Sequence, residues 1–111
     1  MITRVQHEET LLALRTFVSK NLDKKINMAL LTKELATTEY MLRTVCNVEF
    51  HKTVHEFILG ERLKKAEHLL LHTNQTITTI ASECGMGSTS QFTKAFRKQY
   101  GMTPARYRNA R

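Results

Sequence analysis

The stretch from Thr53 to His72 limits what this chain can become. Its apolar residues Val54, Phe57, Ile58, Leu59, Leu63, Ala66, Leu69 and Leu70 recur at spacings close to three and four, the pattern of a helix that buries one side. No proline interrupts it, and Gly60 is its one interior glycine. At 1.5 Å per residue, a helix of about twenty residues spans roughly 30 Å. Related helical patterns flank it, from Met28 to Phe50 before and from Thr78 to Tyr100 after. The spacing predicts a stiff central helix between two similar units.

With four glycines and one proline in 111 residues, the chain lacks the turn chemistry of a sheet, and an all-α fold is expected. Its length suits one ordinary domain or two very small lobes sharing a connector. Small lobes bury little surface of their own, so packing against the long helix matters. The expected segments are a first subdomain over 1–52, a linker helix over 53–72 and a second subdomain over 73–111.

Capping residues divide the rest. A first helix is predicted from Glu8 to Leu22, with Leu11, Leu14, Val18 and Leu22 on one face, before the polar turn Asp23-Lys24-Lys25. Asn27 caps a short helix from Met28 to Ala36, and Thr38 caps a third from Glu39 to Val48. After His72, Thr76 caps a helix from Ile77 to Cys84, which Gly85 ends in the left-handed conformation glycine tolerates. Ser88 then caps a helix from Thr89 to Gln99, Gly101 ends it, and Pro104 opens a last short helix through Tyr107 and Arg108. A shift of fifty residues lays Leu30 on Ile80, Thr38 on Ser88, Leu42 on Phe92, Cys46 on Phe96, Phe50 on Tyr100 and Thr53 on Thr103. It is a repeat of residue class.

Charge is placed unevenly. The formal net charge is +7, and no acid follows Glu83, whereas Lys94, Arg97, Lys98, Arg106, Arg108 and Arg111 all do. A one-signed segment suits a polyanion. Cys46 and Cys84 have no CxxC neighbour and read as buried, reduced thiols of a cytoplasmic protein. Arg4, Glu8, Glu9 and Arg15 interrupt the apolar residues near the N-terminus, which excludes a membrane span or signal peptide there. His51/His55 and His68/His72 have the i, i+4 spacing of a metal pair, but no Cys or acid completes either, and no metal or cofactor is expected. No nucleophile–base pair, phosphate-binding glycine loop or paired carboxylates appear, so an enzyme is not expected.

Ile77–Cys84, Gly85 and Ser88–Gln99 follow the grammar of a helix-turn-helix, whose second helix enters the DNA major groove with its N-terminal residues on base edges. The exposed positions early in that helix are Thr89, Ser90, Gln91, Thr93 and Lys94, with Phe92 and Phe96 turned away. Gln91 matches adenine, Thr89, Ser90 and Thr93 match a base or phosphate, and Lys94 matches guanine or the backbone. The first unit offers Tyr40, Arg43 and Thr44, of which Arg43 suits the two acceptors of guanine. Glu39 there repels phosphate. Asn27 and Thr76 open helices whose free N–H groups suit phosphates, and Arg97, Lys98, Arg106 and Arg108 add unspecific attraction. The competing readings are a solvated polar face and, for Arg43, a surface ion pair with Glu39.

The residues Arg62-Leu63-Lys64-Lys65-Ala66-Glu67-His68-Leu69-Leu70, Ile77-Thr78-Thr79-Ile80-Ala81, the run from Gly85 to Lys98, Gly101-Met102-Thr103-Pro104 and Tyr107-Arg108 resemble the AraC/XylS family of bacterial transcription regulators. The resemblance extends from about residue 9 to 108. It implies seven helices in two helix-turn-helix subdomains joined by the long helix, with both recognition helices in successive major grooves of one duplex. It also implies a promoter regulator, more often an activator touching RNA polymerase, with base contacts at Tyr40, Arg43, Thr44, Thr89, Ser90, Gln91, Thr93 and Lys94. The chain departs from the family pattern at Thr44, where a basic residue is usual, at Cys46 and Met86, where phenylalanine is usual, and at His51, where glycine is usual. The expected partner is double-stranded promoter DNA, bound by a monomer at one asymmetric site. The chain is either a complete small regulator or the C-terminal portion of a longer one. The alternative function is a helical protein-interaction adaptor that kept the fold and lost DNA binding.

Overall fold

Side-chain caps start nearly every helix in this chain. A computed structural model describes residues 1–110; Arg111 lies outside the described residues. Among these are seven helices and no strand: α1 (Arg4–Lys20), α2 (Met28–Glu34), α3 (Glu39–Phe50), α4 (Val54–His72), α5 (Ile77–Glu83), α6 (Thr89–Tyr100) and α7 (Pro104–Asn109). Asn27, Thr38, Thr76, Ser88 and Thr103 each accept a hydrogen bond from the amide three residues on, satisfying donors the helix leaves free. Helix α4 opens with a reciprocal box, in which Thr53 N–H donates to Glu56 Oε1 at 2.8 Å and Glu56 N–H to Thr53 Oγ1 at 3.0 Å.

Several helix ends differ from the sequence expectation: α1 ends at Lys20 and not Leu22, α2 at Glu34 and not Ala36, α5 at Glu83 and not Cys84, and α6 at Tyr100 and not Gln99. Helix α1 begins at Arg4 and not Glu8, because Thr3 and Gln6 form a capping box that adds a turn. Helix α3 runs on to Phe50 and not Val48, ending where His51 takes a left-handed conformation (φ 55°) and returns its amide to Asn47 O.

The chain forms two compact units: residues 1–21 with 25–59, and residues 22–24 with 60–111. The division falls inside α4. In the first unit, Leu14, Val18, Leu31, Leu42, Val45 and Cys46 are buried together with Val54, Phe57 and Ile58 from the start of α4. Phe50 stacks on Phe57 with centroids 4.5 Å apart, and the Arg15 guanidinium lies 5.1 Å from the Phe50 ring centroid. His7 Nε2 meets Glu49 Oε1 at 3.0 Å, linking α1 to α3.

In the second unit Leu63, Ala66 and Leu70 of α4 are buried along with Ile80, Ala81, Phe92, Phe96 and Pro104. Phe96 makes edge contacts with Phe92 and Tyr107, at 5.8 and 5.3 Å between centroids. The Tyr107 hydroxyl donates to Glu67 Oε2. Arg108 donates from Nε to Leu70 O at 3.1 Å and from Nη2 to Thr73 O at 3.3 Å, so its charge serves the carboxyl end of α4.

The internal repeat is real in the backbone but its register changes once. Through the first helix of each unit the offset is forty-nine residues: cap Asn27 matches Thr76, and fully buried Leu31, not Leu30, matches Ile80. After the turn the offset is fifty, with Thr38 on Ser88, Leu42 on Phe92, Cys46 on Phe96, His51 on Gly101 and Thr53 on Thr103. The second turn is therefore one residue longer, between Met86 and Ser88. Both turns close in the same way, with Ala36 N–H to Lys33 O and Thr37 N–H to Thr32 O in one, Gly85 N–H to Ser82 O and Met86 N–H to Ala81 O in the other. This is the paired closure of a helix ending in a left-handed residue.

Candidate nucleic-acid interface

Helix α6 carries its polar edge because Phe92 and Phe96, four residues apart, are fully buried and fix the helix rotation. That rotation leaves Ser90, Gln91 and Lys94 exposed, with Thr89 and Thr93 half-buried at the margins. The Thr89 hydroxyl lies 3.4 Å from the Thr78 hydroxyl of α5. The Gln91 amide N–H donates to the capping Ser88 Oγ at 3.0 Å, so the start of the edge is pinned. Its side chain lies back over the extra residue of the turn: a Cβ on Gly87 would come within 2.5 Å of Gln91 Oε1. Arg97 and Lys98, exposed in the last turn, extend this surface, and no carboxylate belongs to α6 or α7.

In the first unit, Tyr40 is 71% exposed at the start of α3. Arg43 stands one turn on, and its Nη2 pairs with Glu39 Oε2 at 3.0 Å. The pair is exposed and contributes little to stability; its effect is to offset the Arg43 charge. Thr44 is half-buried beside it. Asn27 and Thr76 are exposed, but each side-chain oxygen already accepts from the helix it caps, Asn27 Oδ1 from Leu30 N–H at 2.8 Å and Thr76 Oγ1 from Thr79 N–H at 3.1 Å.

Sequence spacing missed a second group of residues near Arg43. Tyr40, Arg43 and Thr44 share one concave surface, of about 680 Å³, with His51, Lys52 and His55. As His51 is the left-handed cap of α3 and His55 sits in the first turn of α4, the two do not lie on one helix face, contrary to their i, i+4 spacing. The sequence signals there are the i, i+4 count, a metal spacing that no Cys or acid completes, and a histidine at position 51 where the family pattern has glycine. His68 and His72 do share a face of α4, with ring centroids 4.4 Å apart. Among the described residues, no group of three or more metal-ligating side chains forms, and no helix is long and apolar enough to cross a membrane.

Comparison with known proteins bears on the family and the fold. A family profile described as a helix-turn-helix domain matches residues 31–110. The regulatory protein SoxS of Salmonella typhimurium is 26% identical over 105 residues, covering 95% of this chain and 98% of SoxS. The transcriptional activator AggR of Escherichia coli is 30% identical over 93 residues, covering 84% of this chain and 35% of AggR. The chain thus spans nearly all of one relative and about a third of the other. A crystal structure of a transcriptional regulator with an AraC-type DNA-binding domain, from Chromobacterium violaceum, superimposes with a TM-score of 0.86 at 20% identity, covering 92% of this chain and 91% of that one. That likeness is one of fold.

Proposed function

This chain is a DNA-binding helix-turn-helix domain of the AraC/XylS family of bacterial transcription regulators, and from that premise we propose that it reads one asymmetric promoter site as a monomer, in the cytoplasm, and activates transcription by touching RNA polymerase. Helices α3 and α6 enter successive major grooves of one duplex, about 34 Å apart along its axis. Gln91 reads adenine, Arg43 reads guanine once released from Glu39, and Lys94 takes a guanine or a phosphate. Tyr40, Thr44, Thr89, Ser90 and Thr93 fill the remaining base contacts. Arg97 and Lys98, and the helix ends at Asn27 and Thr76, hold the sugar-phosphate backbone.

The observation that carries this reading is the α6 edge: Ser90, Gln91 and Lys94 stand exposed on a helix locked by two buried phenylalanines, in a segment without acids. A helix anchored by buried aromatics and carrying polar side chains on its outer edge suits insertion into a groove. Activation is supported by the relative AggR, a transcriptional activator; contact with polymerase is what the family resemblance implies.

Selection from random duplex DNA, followed by titration of the selected site across a salt series, tests the reading. The expected result is one non-palindromic consensus, one chain per site, and affinity that falls steeply as salt rises. Failure to bind any duplex at low salt would favour a protein-interaction adaptor. Two chains per short site would overturn the monomeric part.

A further inference from the structure

The concave surface of the first unit holds two imidazoles beside residues proposed to read bases. His51, at the end of α3, and His55, in the first turn of α4, are both exposed there, with Lys52 between them. Besides the imidazoles, the charged residues lining this surface are Arg43, Lys52 and Glu56. Helix α3 contributes Arg43, whose charge Glu39 offsets at 3.0 Å. The turn contributes Lys52, and α4 contributes Glu56. Helix α2 adds only Met28 to the surface, and α1 adds nothing. The Glu56 carboxylate accepts the Thr53 N–H in the capping box, and that backbone hydrogen bond holds its carboxyl below the usual range, so it stays ionised. Two cations are thus met by two anions, and the sign of the surface depends on the imidazoles.

Imidazole is the side chain that gains charge between pH 8 and 5. A nearby polyanion favours the protonated form, and an imidazolium donates a charge-assisted hydrogen bond to a phosphate oxygen. We infer that His51 and His55, flanking Lys52, form a proton-dependent phosphate-binding edge of the first unit's DNA surface. This rests on the DNA-binding reading above and adds a regulation to it. The second unit has no counterpart: fifty residues on, His51, Lys52 and His55 become Gly101, Met102 and Ala105. Its own cations are Lys94, Arg97 and Lys98, with no imidazole among them. One unit grips DNA at any physiological pH, while the other tightens as the solution acidifies.

Fluorescence anisotropy on the selected duplex, at constant ionic strength, tests this at pH 6 and pH 8. Uptake of up to one proton per imidazole makes the wild-type affinity rise by about tenfold from pH 8 to pH 6. The double variant His51→Asn/His55→Gln removes that rise; asparagine suits the left-handed position, and an unchanged thermal melt by circular dichroism confirms folding. His68→Gln/His72→Gln, at residues that do not line this surface, keeps the rise. Lys52→Ala keeps it too, but binds more weakly at both pH values and lowers the salt slope by about one. A flat wild-type response, or a rise that survives in His51→Asn/His55→Gln, overturns the inference while leaving DNA binding intact. Absence of binding at both pH values overturns the DNA reading itself, a distinct result.

Discussion

The guanidinium of Arg62 fills the space that a side chain on Gly85 would occupy. A Cβ built on Gly85 overlaps Arg62 Nη1 and the Leu22 carbonyl, and Gly85 is left-handed (φ 71°). Arg62, 8% exposed, donates to Leu22 O, to Cys84 O at 3.0 Å and to Lys24 O at 3.0 Å. One buried cation therefore ties the Leu22–Lys24 turn and the end of α5 to α4. Burial lowers its proton affinity, and the three carbonyls compensate the lost hydration.

Removing either partner should be costly. Arg62→Ala strands three carbonyls and is expected to lose about 3 kcal/mol or more, with Arg62→Lys recovering less than half because an ammonium lacks the planar fork. Gly85→Ala is expected to lose about 2–4 kcal/mol through left-handed strain and overlap. Urea unfolding measures all three, and a loss under about 1 kcal/mol in Arg62→Ala would contradict this account.

The first turn carries Ala36 where the second carries Gly85, and Ala36 is also left-handed (φ 49°). Ala36→Gly relieves strain of about 1–2 kcal/mol and returns part of it in backbone entropy. Its Tm should rise, with a net gain of about 0.5–1 kcal/mol. Destabilisation would mean that Ala36 contributes packing its exposed position does not suggest.

Glu39 masks the cation best placed to read guanine. Glu39→Gln removes both the pairing at 3.0 Å and a charge repelled by phosphate. Affinity for the selected duplex should rise by about threefold to tenfold, with stability unchanged to within about 0.5 kcal/mol. Weaker binding would show that Glu39 itself contacts a base.

Base and backbone contacts should separate on α6. Gln91→Ala is expected to relax preference at one base pair, at a cost of about 1–3 kcal/mol on the selected site, while Lys98→Ala weakens all duplexes alike. Because Gln91 lies over Gly87, Gly87→Ala displaces its amide and should change the same base preference. Competition with single-base variants of the site reads all three, and equal losses on every duplex for Gln91→Ala would refute the assignment.

Both cysteines are free and fully buried. Burial pushes the Cys46 and Cys84 thiols up from 9.0 to about 11, so at neutral pH they should resist thiol reagents until the chain opens. The folded state holds these protons more tightly than the unfolded state. Their contribution to stability is fully present below about pH 9 and is lost as pH rises through about 11. Labelling rates and urea midpoints across that window check both statements.

Much of this molecule is written in local chemistry. Asn27, Thr38, Thr76, Ser88 and Thr103 start helices where their side chains reach back to the third amide, a decision made within four residues. The three-and-four spacing in Val54–Leu70 sets which side of α4 is buried, and Phe92 and Phe96 fix which residues of α6 remain outside. For the same reason Ser90, Gln91 and Lys94 are legible as an exposed edge before any coordinates. The extra turn of α1 is equally local, a Thr3-x-x-Gln6 capping box that the apolar spacing overlooked. Local rules stop at Ala36, where a left-handed residue appears without the glycine that normally marks it.

What the amino-acid order determined alone, then, is the set of seven helices, their duplication and the family they belong to. Tertiary structure decided the fate of the charges. Periodicity places Arg62 four residues from both Ile58 and Ala66, on the buried side of α4, and Lys64 off it. What it does not supply is the reason a charge is tolerated there, which is that three carbonyls from segments remote in sequence meet around a single guanidinium. Likewise His51 and His55 count as a helical pair and are not one, since the chain turns between them and brings both beside Arg43. A helix cap is satisfied by its neighbours; the cost of burying a charge depends on every group that surrounds it, and only the folded chain assembles that surrounding.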